Sequence, residues 1–360
     1  MTDSVLFSSF RLGELTLPSR IVMSPMTRSR SVGNVPDELV ASYYRQRASA
    51  GLIITEGTSP SPNGLGYARI PGIYSDAQVT GWKHVTSAVH AAGGRIFVQL
   101  MHCGRVGHPE NLPAGARLLG PSAIAAPGSM FTDAKGPLPH PVPEAMTERD
   151  IEEAIAEYGT AAKNALAAGF DGVEIHGANG YLVEQFLSTS SNARTDAWGG
   201  SVQNRIRFAL AVVDAVAAAI GAGRTGIRLS PYGVFNGSAP DAETDDVYRA
   251  LATELGKRKI AYVHLVDHSS MGAPKPKPEL FDDIRRLFAG PVILAGGFDS
   301  AASATEALLA KKADLIGFAR TFLANPNLPE KLRSGAKLTA PDQATFYTPG
   351  PKGYTDYPAA

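Results

Sequence analysis

Cysteine is almost absent from this chain of 360 residues, in which Cys103 is the only one. A single thiol excludes an intramolecular disulfide and any zinc or iron–sulfur site built from several cysteines, so we predict no metal site and expect a reducing compartment, the cytoplasm. The sequence also lacks a basic leader with an apolar core, and it lacks an apolar run of the roughly 20 residues that a membrane helix needs. We therefore expect neither export nor a membrane span.

An excess of charge of either sign is also lacking, because Lys plus Arg and Asp plus Glu both total 34. Without a basic block, nucleic acid is not an expected partner. Hydrophobic residues make up 44% of the chain and charged residues 19%, which is enough apolar material for a large core. The composition indicates a soluble globular protein whose partners are small molecules.

What the sequence does contain is an alternation of short β-branched apolar runs with helical patterns, as in βα units around a parallel sheet. Eight such units predict one domain over residues 1–360, a single (β/α)8 TIM barrel with an N-terminal cap. Helices are predicted to begin after Thr147, with Asp150 completing a capping box, and to cover 245–259 and 300–313. The predicted strands are 20–26, 52–56, 95–100, 172–176, 225–230, 262–266, 291–295 and 314–318.

Residues 101–146, which directly follow the third predicted strand, are rich in Gly and Pro and show no helical period. Loops of this length inside a compact domain are usually functional, and the carboxyl ends of barrel strands carry the active site. The segment is therefore predicted to be a lid or a small subdomain, with a plain surface excursion as the alternative.

Polar residues stand where several predicted strands end, and in a barrel these ends meet at one mouth. After the seventh and eighth strands, glycines that expose backbone N–H groups and the guanidinium of Arg320 fit a phosphate site, with an ordinary tight turn as the alternative. The polar strand-end residues are Thr27, Gln99, His176, Arg228 and Arg320, and the glycines are Gly57, Gly296 and Gly297.

The common nucleotide and hydrolase motifs are missing. No Walker sequence, no G-x-G-x-x-G after a strand, no G-x-S-x-G and no H-E-x-x-H occurs. None of the predicted strands ends in a lysine, which weakens a Schiff-base aldolase. The pattern that remains indicates a phosphorylated ligand with polar ring edges.

The stretch HGANGYLVEQFLSTSSNARTDAWGG, residues 176–200, resembles the central signature of the Old Yellow Enzyme family. The similarity extends from IVMSPMTR at 21–28 to GYTDYP at 353–358. This resemblance implies a barrel with tightly but non-covalently bound FMN, which reduces activated alkenes with NADPH or NADH in a ping-pong cycle. NADPH is the family expectation, although no motif here reads a 2′-phosphate.

The resemblance assigns one group of residues to FMN. Pro25, Met26 and Thr27 are expected along the flavin ring, with the Thr27 hydroxyl at its O4 edge. The Gln99 amide can both donate and accept, which suits the O2 and N3 edge. Arg228 is expected at N1, where its charge favours the anionic reduced flavin. The remaining cofactor residues implied by the resemblance are Gly57, Gly296, Gly297, Gly317 and Arg320.

A second group matches the family's substrate residues. His176 and Asn179 correspond to the pair that hydrogen-bonds the substrate carbonyl oxygen, where charge develops as hydride from flavin N5 reaches the β-carbon. Tyr181 corresponds to the acid that protonates the α-carbon, because a phenol stays protonated at neutral pH. Tyr67, Met101 and Tyr354 are predicted as substrate-contacting pocket walls, with plain packing as the alternative for the two tyrosines.

Thr27 and Asn179 resemble the better-known branch of the family, whereas Met101 stands where many members carry a pocket-narrowing tryptophan. The predicted substrates are enones, enals and imides, with nitro compounds and nitrate esters as further candidates. The sequence leaves open the stereochemical outcome and whether the protein is a monomer or a dimer. The rival functions are a flavin-dependent amine or alcohol dehydrogenase, a flavin-binding protein without turnover and an FMN-free barrel lyase.

Overall fold

Eight parallel strands close into a barrel in which each strand pairs with the next along the chain and the last pairs with the first. The computed structural model describes residues 4–358. It confirms the predicted (β/α)8 barrel, and each observed strand overlaps one predicted run. The barrel strands are β1 (Ile21–Met23), β2 (Leu52–Thr58), β3 (Ile96–Leu100), β4 (Gly172–Gly177), β5 (Thr225–Leu229), β6 (Tyr262–Val266), β7 (Val292–Ala295) and β8 (Leu315–Phe318).

Helices surround the barrel, and the one before β4 begins as predicted, because the Thr147 hydroxyl accepts from the backbone of Asp150 and the Asp150 carboxylate accepts in return. The predicted helix over 300–313 is wrong at its end. The chain leaves the helix after Leu309, where Lys311 takes a left-handed φ of 55° and the Lys312 N–H closes the turn on the Ala307 carbonyl. The helices are α1 (Glu38–Arg45), α2 (Asp76–Ala91), α3 (Glu148–Ala167), α4 (Leu182–Leu187), α5 (Val202–Ile220), α6 (Thr244–Arg258), α7 (Pro278–Phe288), α8 (Ala301–Leu309), α9 (Arg320–Ala324) and α10 (Leu328–Ser334).

The amino-terminal end of the barrel is filled by apolar side chains and closed by a hairpin of Phe10–Leu12 with Leu15–Leu17. Leu12 and Leu17 are fully buried in the same cluster as the interior strand residues. This hairpin is the predicted N-terminal cap. A functional site is consequently confined to the opposite end, where the carboxyl ends of the strands open.

The segment 101–146 contains two small sheets outside the barrel. Leu119–Gly120 pairs with Glu144–Ala145, and Ser129–Thr132 forms a hairpin with Gly136–Pro139. Among the helices of the described residues 4–358, none is both long and apolar enough to cross a membrane.

Candidate active site

A polar layer lies inside the barrel, above the apolar residues that fill its lower end. Its centre is Glu174 on β4, whose side chain is completely buried. One carboxylate oxygen accepts from Gln99 Nε2 at 2.8 Å, and the other accepts from the Tyr262 hydroxyl at 3.1 Å and from His264 Nδ1 at 2.8 Å. Gln99 was predicted and the other three were not. The available signal was the strand period, because Glu174 shares a face with His176 two residues later.

His176 and Arg228 are directly opposite each other on β4 and β5, one layer nearer the mouth. The backbone N–H of Ala178 donates to His176 Nδ1 at 3.3 Å, so the proton of the neutral ring is assigned to Nε2. Burial, assisted by the positive charge of Arg228, lowers the pKa of His176 well below its usual value. The imidazole is therefore neutral near pH 7 and offers one N–H donor.

Asn179 and Gly180 form a left-handed turn after β4, with φ of 61° and 75°. The Asn179 N–H donates to Ser230 Oγ at 2.9 Å, and its carbonyl accepts from Asn236 Nδ2 at 2.8 Å. The side-chain Oδ1 of Asn179 is buried and has no hydrogen-bond partner within residues 4–358. The backbone of Asn179 is thus held by protein groups, while its amide remains available to a ligand.

Tyr181 follows this turn and brings its ring edge-on to that of His176, with 4.8 Å between ring centroids. Its hydroxyl lies 2.9 Å from the hydroxyl of Tyr67. Burial raises the pKa of Tyr181 well above its usual value, and burial also raises the pKa of Tyr67. Both phenols therefore keep their protons at neutral pH, and the structure brings the predicted residues His176, Asn179, Tyr181 and Tyr67 together.

Behind the turn lie two buried residues that the sequence analysis missed, Glu184 and Gln185 on α4. The Glu184 carboxylate accepts from the Gly180 N–H, and the Gln185 amide donates to the Gly180 carbonyl at 2.7 Å. Because polar residues on a short helix leave no pattern that separates a buried partner from a solvated one, neither was recognisable in the sequence.

Pro25, Met26 and Thr27 continue from β1 at the mouth, and the next residues anchor them. The Arg28 N–H donates to the buried carboxylate of Glu56 at 3.0 Å. The guanidinium of Arg28 donates to the Gly353 carbonyl at 2.7 Å, so the carboxyl-terminal segment is fastened to this strand end. Neither Arg28 nor Glu56 was singled out from the sequence.

Tyr354 belongs to this same anchoring cluster. It is fully buried and stacks on Tyr43, with ring centroids 4.0 Å apart, while the Arg30 guanidinium lies 4.5 Å from its ring centroid. These contacts are those of a packing residue, which was the alternative at this position, and a substrate contact from Tyr354 stays a prediction.

The glycines after β7 and within β8 are required for different structural reasons. A Cβ on Gly296 would collide with the Asp267 carbonyl, and one on Gly317 would collide with Ser24 Oγ inside the barrel. Gly297 instead has a φ of 74° and open space around its Cα. Arg320 is exposed at the start of α9, which follows β8, and Gly297 follows β7, the neighbouring strand of the barrel. Gly297 and Arg320 are therefore the pair that fits an external phosphate.

Met101 fills the space that a side chain at Gly57 would need, since a Cβ there would meet its sulfur atom. It is buried and shares an apolar cluster with Tyr181, Cys103 and Met130. The geometry accordingly places Met101 next to the residues of the turn, where a pocket wall was predicted.

Several residues at the mouth have polar groups without hydrogen-bond partners, and these groups match the polar groups of FMN. Arg228 Nε is buried without a hydrogen-bond partner in the described chain, and Gln99 uses one N–H on Glu174 and keeps its oxygen and second N–H. Gly297 and Arg320 offer a backbone approach and a cation to a phosphate. A ligand with a polar ring edge at one end and a phosphate at the other matches this set.

The chain is similar to known flavin oxidoreductases over nearly its whole length. The model of the NADH:flavin oxidoreductase / NADH oxidase family matches residues 5–339. The chain is 47% identical over 364 residues to chanoclavine-I aldehyde reductase of Penicillium roqueforti, covering 98% of this chain and 95% of that protein. It is 42% identical over 363 residues to a Leishmania infantum protein named probable flavin mononucleotide-dependent alkene reductase, covering 98% and 97%.

Solved structures of this family also superpose on the chain over nearly its whole length. Morphinone reductase in complex with tetrahydroNAD superposes with a TM-score of 0.93 at 45% identity, covering 98% of this chain and 97% of that one. The Old Yellow Enzyme homologue from Zymomonas mobilis superposes with a TM-score of 0.93 at 43% identity, covering 98% and 99%.

Proposed function

The chain belongs to the NADH:flavin oxidoreductase / NADH oxidase family and is an NAD(P)H-dependent, FMN-containing enzyme of the alkene-reductase type, and we propose that it reduces α,β-unsaturated carbonyl compounds at His176, Asn179 and Tyr181. The proposed substrates are enones, enals and imides, with nitro compounds and nitrate esters as further candidates. The names of two relatives, an aldehyde reductase and morphinone reductase, support a carbonyl-containing substrate.

The observation that carries this proposal is the pair of unused donors around the turn. His176 is neutral with its N–H on Nε2, and the NH2 group of Asn179 donates to no group within residues 4–358, where Asn179 Oδ1 is also without a partner. Two preorganised donors of this kind stabilise the negative charge that develops on a carbonyl oxygen during reduction of the conjugated double bond. A neutral imidazole can make this hydrogen bond because its Nε2–H remains a donor.

Tyr181 is the proposed acid for the α-carbon. Its hydroxyl is protonated near pH 7 and lies 2.9 Å from the Tyr67 hydroxyl, and in this role Tyr67 donates to Tyr181, which leaves the Tyr181 proton free for the substrate. FMN, when bound, supplies the hydride. Tyr181 gives its proton to the carbon next to the carbonyl, and Tyr67 keeps the phenol oriented and contacts the substrate.

For the cofactor we propose two contact regions. Gln99, Arg228 and Thr27 hold the polar edges of the flavin, with Pro25, Met26 and Gly57 along the ring. Gly296, Gly297, Gly317 and Arg320 form the phosphate end, where Gly297 and Arg320 make the direct contacts and Gly296 and Gly317 permit the close approach of chain segments. Thr27 and Asn179 also support membership of the family branch that has this pair.

We propose that 101–146 is a lid over this site. Its residues Met101, Val106 and Met130 pack in one apolar cluster with Tyr181. The buried guanidinium of Arg105 donates to the Gly237 carbonyl at 3.2 Å, which ties the segment to the loop that holds Asn179 through Asn236. These contacts support a cover that excludes water from the reacting groups.

The purified protein tests the function directly. It is expected to be yellow, to bleach with NADPH under anaerobic conditions and to regain its colour with 2-cyclohexenone. A colourless preparation that FMN cannot reconstitute would refute the proposal.

The Tyr181→Phe variant tests the assigned acid. Flavin reduction by NADPH should stay nearly intact, whereas reoxidation by 2-cyclohexenone should slow, because the proton donor to carbon is removed and general acid catalysis contributes about 10²- to 10⁴-fold. Rapid-mixing absorbance measurements separate the two half-reactions. Loss of reduction by NADPH with unchanged reoxidation would contradict the role of Tyr181.

A further inference from the structure

Glu184 is a buried carboxylate with an unusual position, directly behind the turn that carries Asn179 and Tyr181. Its side chain is 2% exposed, and it has no ion pair within residues 4–358, because Arg205, which lines the same small cavity, pairs with Asp241 and Glu243. It accepts from the Gly180 N–H, from Ser230 Oγ at 2.8 Å and from the Tyr248 hydroxyl at 3.0 Å. A carboxylate isolated from cations and surrounded by donors needs a reason to be buried.

Both sides of the Asn179 residue depend on this carboxylate. The peptide that follows Asn179 donates directly, through the Gly180 N–H. The peptide that precedes it donates to Ser230 Oγ at 2.9 Å, and the Ser230 hydroxyl in turn donates to Glu184 at 2.8 Å. Because that hydroxyl hydrogen points to Glu184, a lone pair of Ser230 Oγ is free to accept from Asn179.

The conformation of Asn179 is held by these hydrogen bonds. Its φ of 61° lies in the left-handed region, which asparagine tolerates better than most residues other than glycine, and the peptides on both sides of it are hydrogen-bonded. The side-chain Oδ1 of Asn179 has no hydrogen-bond partner within residues 4–358, so the described chain fixes the amide through the backbone alone. A group that releases the backbone would therefore also release the amide.

We propose that Glu184 is a positioning residue that holds the carbonyl-binding amide of Asn179 in place through the Gly180 N–H and Ser230. The inference rests on the proposed function, because it needs Asn179 to bind the substrate oxygen. Burial raises the pKa of Glu184 to about 7, and the position suits its ionised form, which accepts from all three donors and has no proton of its own to place. A glutamine of the same size would present an NH2 group to at least one of them.

The test is a double-mutant cycle on the holoenzyme. Glu184→Gln is expected to lower the rate of reoxidation of the reduced enzyme by 2-cyclohexenone about 10- to 100-fold, the loss typical of a reacting group displaced by up to about 1 Å. In an Asn179→Ala background the same substitution should change that rate by less than about threefold, because Glu184 would act through a side chain that is already gone. A purely structural role predicts the same loss in both backgrounds.

Glu157→Gln is the matched control, since Glu157 is a partly buried carboxylate on α3 outside this network. The rate of reoxidation of this variant by 2-cyclohexenone should stay within about twofold of wild type, as for a substitution that does not touch the site. Equal losses with and without Asn179, or no loss from Glu184→Gln alone, would overturn the inference. If Glu184→Gln does not fold, Ser230→Ala removes the bridging hydroxyl and must show the same dependence on Asn179. Wild-type enone turnover is measured first, so that failure of the proposed function is recognised separately.

Discussion

Adding one methyl group at Gly180 should damage catalysis more than it damages the fold. Gly180 has a φ of 75°, and a Cβ there would lie 2.5 Å from the Phe235 carbonyl oxygen and 2.9 Å from Asn236 Cβ. Real Cβ atoms essentially never come closer than 3.0 Å to a neighbouring atom. The atom of Phe235 that is approached belongs to the backbone rather than to a flexible side chain. The turn itself must therefore move by about 0.5 Å or more, the difference between 2.5 Å and the 3.0 Å limit.

Two costs follow for Gly180→Ala. The left-handed backbone disfavours alanine by about 1–2 kcal/mol. The displacement acts on Asn179 and Tyr181 on either side, and a misplacement approaching 1 Å costs about 100-fold in rate. We therefore expect enone reduction to fall by about 10- to 100-fold while the protein remains folded, since stabilities of about 5–15 kcal/mol exceed the backbone cost.

The assay compares two alanine variants. Gly93→Ala places alanine at a similar φ of 83°, but nothing lies within 4 Å of the added Cβ, so it carries the backbone cost without the collision. Urea unfolding should show a loss of stability in both variants, larger in Gly180→Ala because the collision adds strain, and rapid mixing with 2-cyclohexenone should show a rate loss only in Gly180→Ala. Equal enone rates in the two variants at equal FMN content would refute the claim that the turn positions the reacting groups.

Two further predictions concern buried and charged groups. Burial lowers the pKa of His102 to about 3, so the ring stays neutral in the folded protein. In the unfolded chain the same ring takes up a proton below about pH 6.5. The contribution of the buried neutral His102 to stability is therefore complete above that pH and is lost as the pH falls. In urea unfolding, His102→Gln should therefore lose stability less steeply than wild type between pH 6.5 and 4, by up to about 1.4 kcal/mol per pH unit, and parallel curves would contradict the assignment. Arg320→Ala should weaken FMN binding about 10- to 100-fold, as for loss of a charge-assisted hydrogen bond, and leave riboflavin binding unchanged in equilibrium titrations, whereas an equal effect on both ligands would argue against a phosphate contact.

The barrel was predictable because its strands are short apolar runs whose type is encoded locally. Strand β6 matches its predicted bounds of 262–266, and the others differ by a few residues at their ends. The end of α8 was not predictable, because Lys311 is no stronger a helix breaker than its neighbours and the turn is closed by backbone hydrogen bonds. Local propensity therefore identified the elements but not where each of them stops.

The candidate side chains that the structure brings together at the mouth could be named from strand ends and from the motif at 176–181, whereas the groups that hold them could not. Gln99 meets Glu174 only because β3 and β4 pair in the register that the closed barrel imposes. Arg28 meets the Gly353 carbonyl across 325 positions of the chain. No local pattern marks such partners, since a buried charge and a solvated one are the same letter in a sequence.

Three buried carboxylates share this holding role, one for each part of the site. Glu56 accepts the N–H that follows Thr27, Glu174 accepts the Gln99 amide, and Glu184 accepts the Gly180 N–H. Burial raises the pKa of both Glu56 and Glu184 to about 7, which reflects the free-energy cost of keeping these groups away from water. This cost is offset during catalysis, because donors that are already oriented need no rearrangement when charge develops on a substrate. The polar residues inside this barrel are accordingly explained by the orientation of the site more than by the stability of the fold.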